Sequence, residues 1–174
     1  MRLFIFLVLT SVIAIGQPAG SQPATIQLAE GVSIQFPTQP ERRDMGPATL
    51  YTLRLADSTA NFNAIVSDLQ KGNGLDAETL EAAKLDPVFW EQTEQAFLAS
   101  LGPNAKLKES KRKTVSNSEA LELTIERAQD GKVSTLLVLI FTHGVYSFNV
   151  VYTNRNGQGS PALQDAFFSS IQIK

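Results

Sequence analysis

The chain has 174 residues, 15 Lys and Arg against 17 Asp and Glu, 43% hydrophobic residues, no Cys and one His. That length suits one domain, two at most, and the apolar fraction suits a globular core rather than a disordered chain. Without Cys, zinc sites built from Cys and His, thiol nucleophiles, iron–sulfur clusters and disulfides are excluded, and one His leaves room for a single imidazole role.

Residues 1–16 read as a secretory signal peptide. Met1 and Arg2 give a short positive start, and Leu3 to Ile15 is apolar apart from Thr10 and Ser11. A run of thirteen residues falls short of the roughly twenty a transmembrane helix needs. Ala14 and Gly16 supply the small residues before a cut after Gly16, which fits better than a cut after Ala19 or Ala24. The alternative is an uncleaved membrane anchor. A bacterial lipid anchor is excluded, because no Cys follows the apolar run. Removal of residues 1–16 leaves 158 residues with 14 basic against 17 acidic groups, a formal charge of −3. A flexible tail is expected over 17–24 and a single α+β domain over 25–174. Stability must then come from packing.

Within that domain, Thr25 to Leu28 and Gly31 to Pro37 read as short strands, the second with Val32, Ile34 and Phe36 on one face. Thr38 to Pro47, with two prolines and four charges, reads as a loop. Ala48 to Leu55 and Ala60 to Leu69 read as a hairpin turning at Asp57-Ser58-Thr59. Lys71 to Gly74 is a break. Asp76 caps a helix through Lys84, with Leu75 and Leu80 as its hydrophobic staple. Asp86-Pro87 opens a longer helix carrying Phe89, Trp90, Thr93, Ala96, Phe97 and Leu101 at helical spacing. Leu85 is placed to pack on Trp90, and Gly102-Pro103 ends the helix.

From Ala105 the period becomes two. A strand over Leu107 to Val115, a turn at Asn117-Ser118, a strand over Glu119 to Arg127 and a turn at Asp130-Gly131 are expected. Lys132 to Phe141 holds six consecutive apolar residues and reads as a strand covered on both faces. His143-Gly144 is the next turn, and Tyr146, Phe148, Val150 and Tyr152 line one face of the last long strand. Ser160-Pro161 caps a final helix with Leu163, Ala166 and Phe167 inward, and Ile171 and Ile173 add a short closing strand. Strands, helices, a four-strand meander and a helix make an α+β sandwich: a mainly antiparallel sheet between covering layers.

Three of these segments resemble the PsbP-like superfamily and its DcrB-type relatives from the bacterial periplasm. They are Gly31-Val-Ser-Ile-Gln-Phe-Pro37, His143-Gly-Val-Tyr-Ser-Phe-Asn-Val-Val-Tyr152 and Ala166-Phe-Phe-Ser-Ser-Ile-Gln-Ile173. Ile171 departs from the Phe such relatives often carry. The resemblance implies a PsbP-like fold and a non-enzymatic binding or accessory role. It transfers no functional residue, since the matching positions are core positions.

Chemistry-bearing groups are sparse. His143 lies in a turn with no nucleophile beside it, and His tolerates a positive φ better than most residues. No Gly-x-Ser-x-Gly elbow occurs, and Ser160 is accounted for as a helix cap. Glu119, Glu122 and Glu126 lie along a strand, and Asp76, Glu78 and Glu81 along a short helix, the ordinary places for solvated charge. Lys71 to Gly74 lacks P-loop spacing, and Asn154 to Ser160 lacks the carboxylates of a calcium loop. No catalytic residue, metal site or cofactor is expected.

Two candidate sites remain. Lys106, Lys108, Lys111, Arg112 and Lys113 form a charge cluster, either an interaction patch or lysine protection of an edge strand. Lys106 and Lys108 would share one strand face and Lys111 and Lys113 the other, unless a bulge intervenes. Phe89, Trp90, Tyr146 and Phe148 are candidates to line an apolar pocket. The leading expectation is an exported, periplasmic or extracellular, non-catalytic accessory protein of the bacterial envelope that contacts another envelope protein. The alternative is a carrier of a small apolar molecule or lipid; an envelope hydrolase is a lesser one. Nucleic acid is not an expected partner, and membrane contact is expected only if the signal stays uncleaved.

Overall fold

The computed structural model describes residues 22–129 and 131–174. The signal-peptide segment, most of the tail and Asp130 lie outside them. Ten strands and four helices are described, in chain order β1 (Ala24–Ala29), β2 (Val32–Phe36), β3 (Glu41–Met45), β4 (Ala48–Arg54), β5 (Ala60–Asp68), α1 (Leu69–Asn73), α2 (Ala77–Lys84), α3 (Pro87–Leu101), β6 (Ala105–Val115), β7 (Ser118–Gln129), β8 (Lys132–His143), β9 (Tyr146–Arg155), α4 (Pro161–Ser169) and β10 (Gln172–Ile173). Seven strands form one sheet in the order β3-β4-β5-β9-β8-β7-β6, and β1-β2-β10 form a smaller one. Every pairing is antiparallel. The architecture is the α+β sandwich read from the sequence.

The period-two pattern decides the layers. On β8, Leu136, Val138 and Ile140 face one side and Leu139 and Phe141 the other, so this strand is covered on both faces. On the first face, Tyr51, Phe62, Ala64, Phe141, Phe148, Val150 and Tyr152 meet Val32, Ile34 and Phe36 of the small sheet and Phe167 of α4. On the second, Leu121, Leu123, Ile125, Leu136, Val138 and Ile140 meet Trp90, Phe97, Leu98 and Leu101 of α3. The small sheet and α4 therefore form one covering layer, and α3 forms the other.

Several local expectations shift. The segment 38–47 contains a strand, β3, where a loop was expected. All five of its side chains are exposed, so it shows no apolar alternation and is held through its backbone pairing with β4. The break at Lys71 to Gly74 holds a one-turn helix, α1, capped by Asp68. The β6–β7 turn is Ser116-Asn117, one residue earlier than expected, and both residues have positive φ.

His143 is likewise the last residue of β8, paired with Tyr146, and the turn is Gly144-Val145. Gly144 alone takes positive φ there, so His143 has no need of it. Its Nε2 instead packs against the β1–β2 turn. A Cβ on Gly31 would stand 3.0 Å from that nitrogen and 2.9 Å from the Lys174 carbonyl, at a φ of +74°.

Caps behave as the sequence implies. Asp76 accepts from Thr79 N at 2.8 Å, Asp86 from Val88 N at 2.9 Å and Ser160 from Leu163 N at 3.3 Å. Leu85 does not staple Trp90, being 84% exposed. Trp90 instead donates its indole N–H to Lys84 O at 3.0 Å and so closes the end of α2. On α4, Leu163 and Ala166 are exposed and Phe167 is buried, because the helix meets the core only through its last turn. Ala96 of α3 also faces solvent, and Leu98 fills the place expected of it.

Candidate functional site

The two sequence-derived sites meet different fates. The lysine cluster lies on β6, an edge strand. A bulge between Leu107 and Glu109 takes up Lys108 and resets the alternation. Lys106 then stands opposite Glu126, Lys111 opposite Glu122 and Lys113 opposite Ala120, which puts these lysines on one face. Arg112 stands opposite Leu121 on the other face, with its guanidinium 4.3 Å from the Trp90 ring centroid.

Most of this charge is compensated across the strand pair. Lys108 pairs with Glu126 at 3.2 Å, Lys111 with Glu122 at 2.8 Å and Arg112 with Glu119 at 2.8 Å, and Lys113 also reaches Glu122. The cluster is a cross-strand ladder of ion pairs along an edge rather than a field of free positive charge.

Glu122 anchors that ladder with its side chain 13% exposed. Burial pushes its carboxyl up, and the bonds donated by Lys111 and Lys113 outweigh burial, so it lies below its ordinary 4.5. The unfolded chain therefore binds the proton more tightly. The stability Glu122 contributes is present above about pH 4.5 and is lost as pH falls through its folded value. Glu122→Gln is expected to cost roughly 1 kcal/mol at pH 7 and less at pH 3, measured by urea unfolding at both pH values.

The four aromatic residues of the candidate pocket are not brought together. Tyr146 and Phe148 belong to the first-face core, where Phe148 stacks on Phe141 at 4.8 Å. Phe89 and Trp90 lie on the second face and line a cavity of about 230 Å³ with Leu75, Leu80, Ile140 and Thr142. That cavity is smaller than most ligand sites. The Thr142 hydroxyl is buried there and has no hydrogen-bond partner among the described residues.

A third site was not read from the sequence. On the second face, α3 covers β6, β7 and β8 and leaves the side toward β4 and β5 open. The result is a cleft of about 930 Å³, at the upper end of the ligand-pocket range. Its floor is built by register. Arg54, Asn61, Thr153 and Leu136 stand in one cross-strand row over β4, β5, β9 and β8. One step along, Arg155, Ser134 and Arg127 form the next row over β9, β8 and β7. At 4.8 Å per strand, Arg127 and Arg155 start roughly 10 Å apart and reach over the same floor. Lys132 adds a fourth cation.

The cleft is two-sided in character. Arg54, Arg127, Lys132 and Arg155 line it against one carboxylate among the described residues, Asp57. None of the four cations forms an ion pair among the described residues. Asp57 is engaged by its own loop, accepting from Thr59 N at 3.0 Å and Thr59 Oγ1 at 2.8 Å, and these bonds hold its carboxyl below the ordinary value. With the Asn61 amide oriented to satisfy its neighbours, its oxygen accepts from Arg155 Nη2 at 2.9 Å. The apolar part of the cleft is Leu50, Ile65, Leu136 and Val151 on the floor and Phe97 and Leu101 of α3 as a wall, with the uncharged polar residues Asn63 and Ser100 beside them.

The sequence hides this site because its cations sit on four separate strands, each alone in an ordinary alternating pattern. Only the strand order β4-β5-β9-β8-β7 collects them. Among the described residues, no group of three His, Asp or Glu side chains is placed to hold a metal ion, and no helix is long and apolar enough to cross a membrane.

No protein-family model matches the sequence, and no curated protein matches it. Among solved structures, the solution structure of cyanobacterial PsbP from Synechocystis superposes over 95% of this chain and 99% of its own, at 14% identity and a TM-score of 0.58. The chain has a PsbP-like fold. Weaker similarity extends to a Bacteroides thetaiotaomicron protein (16% identity, 83% of this chain, TM-score 0.48), of which this chain spans only 45%. It extends also to LpqN of Mycobacterium tuberculosis, described as involved in cell envelope biogenesis (13% identity, 92% of this chain and 87% of that one, TM-score 0.43).

Proposed function

We propose that the protein is an exported, non-catalytic binding protein of the cell envelope and that it binds its ligand in the cleft beside α3. The observation that carries this reading is the half-covered second face of the sheet. A sheet face that α3 covers only in part leaves a concave, partly apolar floor of ligand size, ringed by polar groups that can orient an occupant. Export is supported by the apolar run of Leu3 to Ile15 ending in small residues. A non-catalytic role is supported by the single His, which serves a strand end against Gly31. This geometry favours the carrier reading over contact with another envelope protein, since Lys108, Lys111, Arg112 and Lys113 of the ladder that would serve such contact are already ion-paired.

Native mass spectrometry of the protein isolated from the envelope tests both halves. The expected spectrum shows a chain beginning at Gln17 with a bound small molecule. Ser134→Trp, which fills the cleft floor, is expected to abolish the adduct. A ligand-free wild-type protein, or an adduct that survives Ser134→Trp, overturns the cleft reading. A retained N-terminal segment overturns the cleaved signal.

A further inference from the structure

We propose that the ligand of this cleft is an amphiphile with an acidic headgroup, a carboxylate or a phosphate, and an apolar tail. The inference rests on the binding role proposed above and names the chemical class. Two observations combine in it. The first is the charge balance: among the described residues, four cations that form no ion pair line the cleft against one carboxylate, and that carboxylate is turned to Thr59. The second is the separation of character along the floor.

The cationic end holds Arg155, Ser134 and Arg127 in one row and Arg54, Asn61 and Thr153 in the adjacent one. These rows offer guanidinium forks, hydroxyls and amides that donate to an oxyanion, and guanidinium binds carboxylate and phosphate bidentately. Arg127 and Arg155 are half-buried, so an anion between them is less screened than at an open surface. The apolar end, Leu50, Ile65 and Val151 under Phe97 and Leu101, carries no charged group, its Asn63 oxygen accepts from Thr52 Oγ1 at 2.6 Å, and it removes hydrocarbon from water. A bare anion leaves that half unfilled. A neutral apolar molecule leaves the arginines without an anionic partner. An acidic amphiphile satisfies both.

The test is titration calorimetry of the purified protein with decanoate, decyl phosphate, decanol, acetate and inorganic phosphate, each below its aggregation threshold, and with an extended Glu-rich peptide. Decanoate, decyl phosphate or both are expected to bind at one per chain, and the tighter of the two identifies the headgroup. Decanol, acetate and phosphate are expected to bind at least tenfold more weakly, and salt is expected to weaken the acidic amphiphiles. Arg155→Ala is expected to cost about tenfold in affinity. Arg54→Glu, at an exposed position, gives a second reading should the Arg155 variant unfold. Lys106→Ala, on the opposite face, is expected to leave affinity unchanged.

Decanol binding as tightly as decanoate, tight binding of the acidic peptide without the amphiphiles, or full affinity in both arginine variants overturns the proposal. A native adduct that Ser134→Trp removes, together with no binding of the acidic amphiphiles, overturns the ligand class and leaves the binding role standing. No native adduct and no probe binding overturns both.

Discussion

Phe167→Ala is expected to destabilise the protein by about 3–5 kcal/mol, the range for truncating a fully buried aromatic residue. Phe167 is 1% exposed and is the residue through which α4 joins the sheet. Its ring meets Phe36 edge-on at 5.2 Å and Phe62 at 5.0 Å, so one side chain ties the helix, the small sheet and the large sheet together. Truncation leaves a void between three elements that cannot close without moving α4, and α4 has no other deeply buried residue to hold it. Thermal unfolding followed by circular dichroism is expected to show a fall in Tm on the order of 10 °C. A loss below 1 kcal/mol would mean that α4 does not pack as described. Leu163→Ala on the same helix is expected to cost little, since Leu163 is exposed.

Trp90→Ala is expected to cost a similar 3–5 kcal/mol from the opposite face. Trp90 is the one deeply buried residue of α3. It packs on the β7–β8 core, meets Phe89 edge-on at 5.1 Å, donates to Lys84 O and carries the Arg112 guanidinium on its ring. Its removal therefore loosens α3 from the sheet and opens the α2–α3 corner together. Trp90→Phe separates the contributions. It keeps most of the packing and loses the indole bond, for an expected cost of roughly 1–2 kcal/mol. Arg112→Ala is expected to cost less than 1 kcal/mol, because it removes an exposed ion pair and a stacking contact but no core volume. Equal losses in the Ala and Phe variants would assign the effect to the hydrogen bond rather than to packing.

How much of this was legible in the sequence follows from where apolar residues occur. The six-residue run of Leu136 to Phe141 announces a strand buried on both faces, and Asp76, Asp86 and Ser160 announce their helices, because each signal is local. β3 escaped because five exposed residues carry no apolar period. The Leu85–Trp90 staple failed because the indole found a carbonyl at the end of α2 instead.

Register was harder still. The bulge at Lys108 turns the lysines onto one face, and the sequence marks a bulge only as a condition. The aromatic pocket failed for a related reason: four aromatic residues at strand and helix spacing were legible as buried, but not which side of the sheet each faced. The cationic cleft lies furthest from view. Arg127 and Arg155 become neighbours through β8, and Arg54 joins them only through the β5–β9 pairing, which ties the β4–β5 hairpin to the late meander.

The small sheet carries a kinetic consequence. Its middle strand, β2, pairs with β1 beside it in the chain and with β10 near the chain's end. Gln35 N donates to Ser170 Oγ, 135 residues away, and Lys174 N donates to the Gly31 carbonyl at 2.9 Å. β1 and β2 can form a hairpin at once, yet the layer they belong to is incomplete until the final helix has docked. Contacts of such sequence separation raise contact order and slow folding. A chain delivered N-terminus first would hold Val32, Ile34 and Phe36 without their α4 cover until its last residues arrive. For most of that interval the exposed apolar face belongs to the hairpin made first.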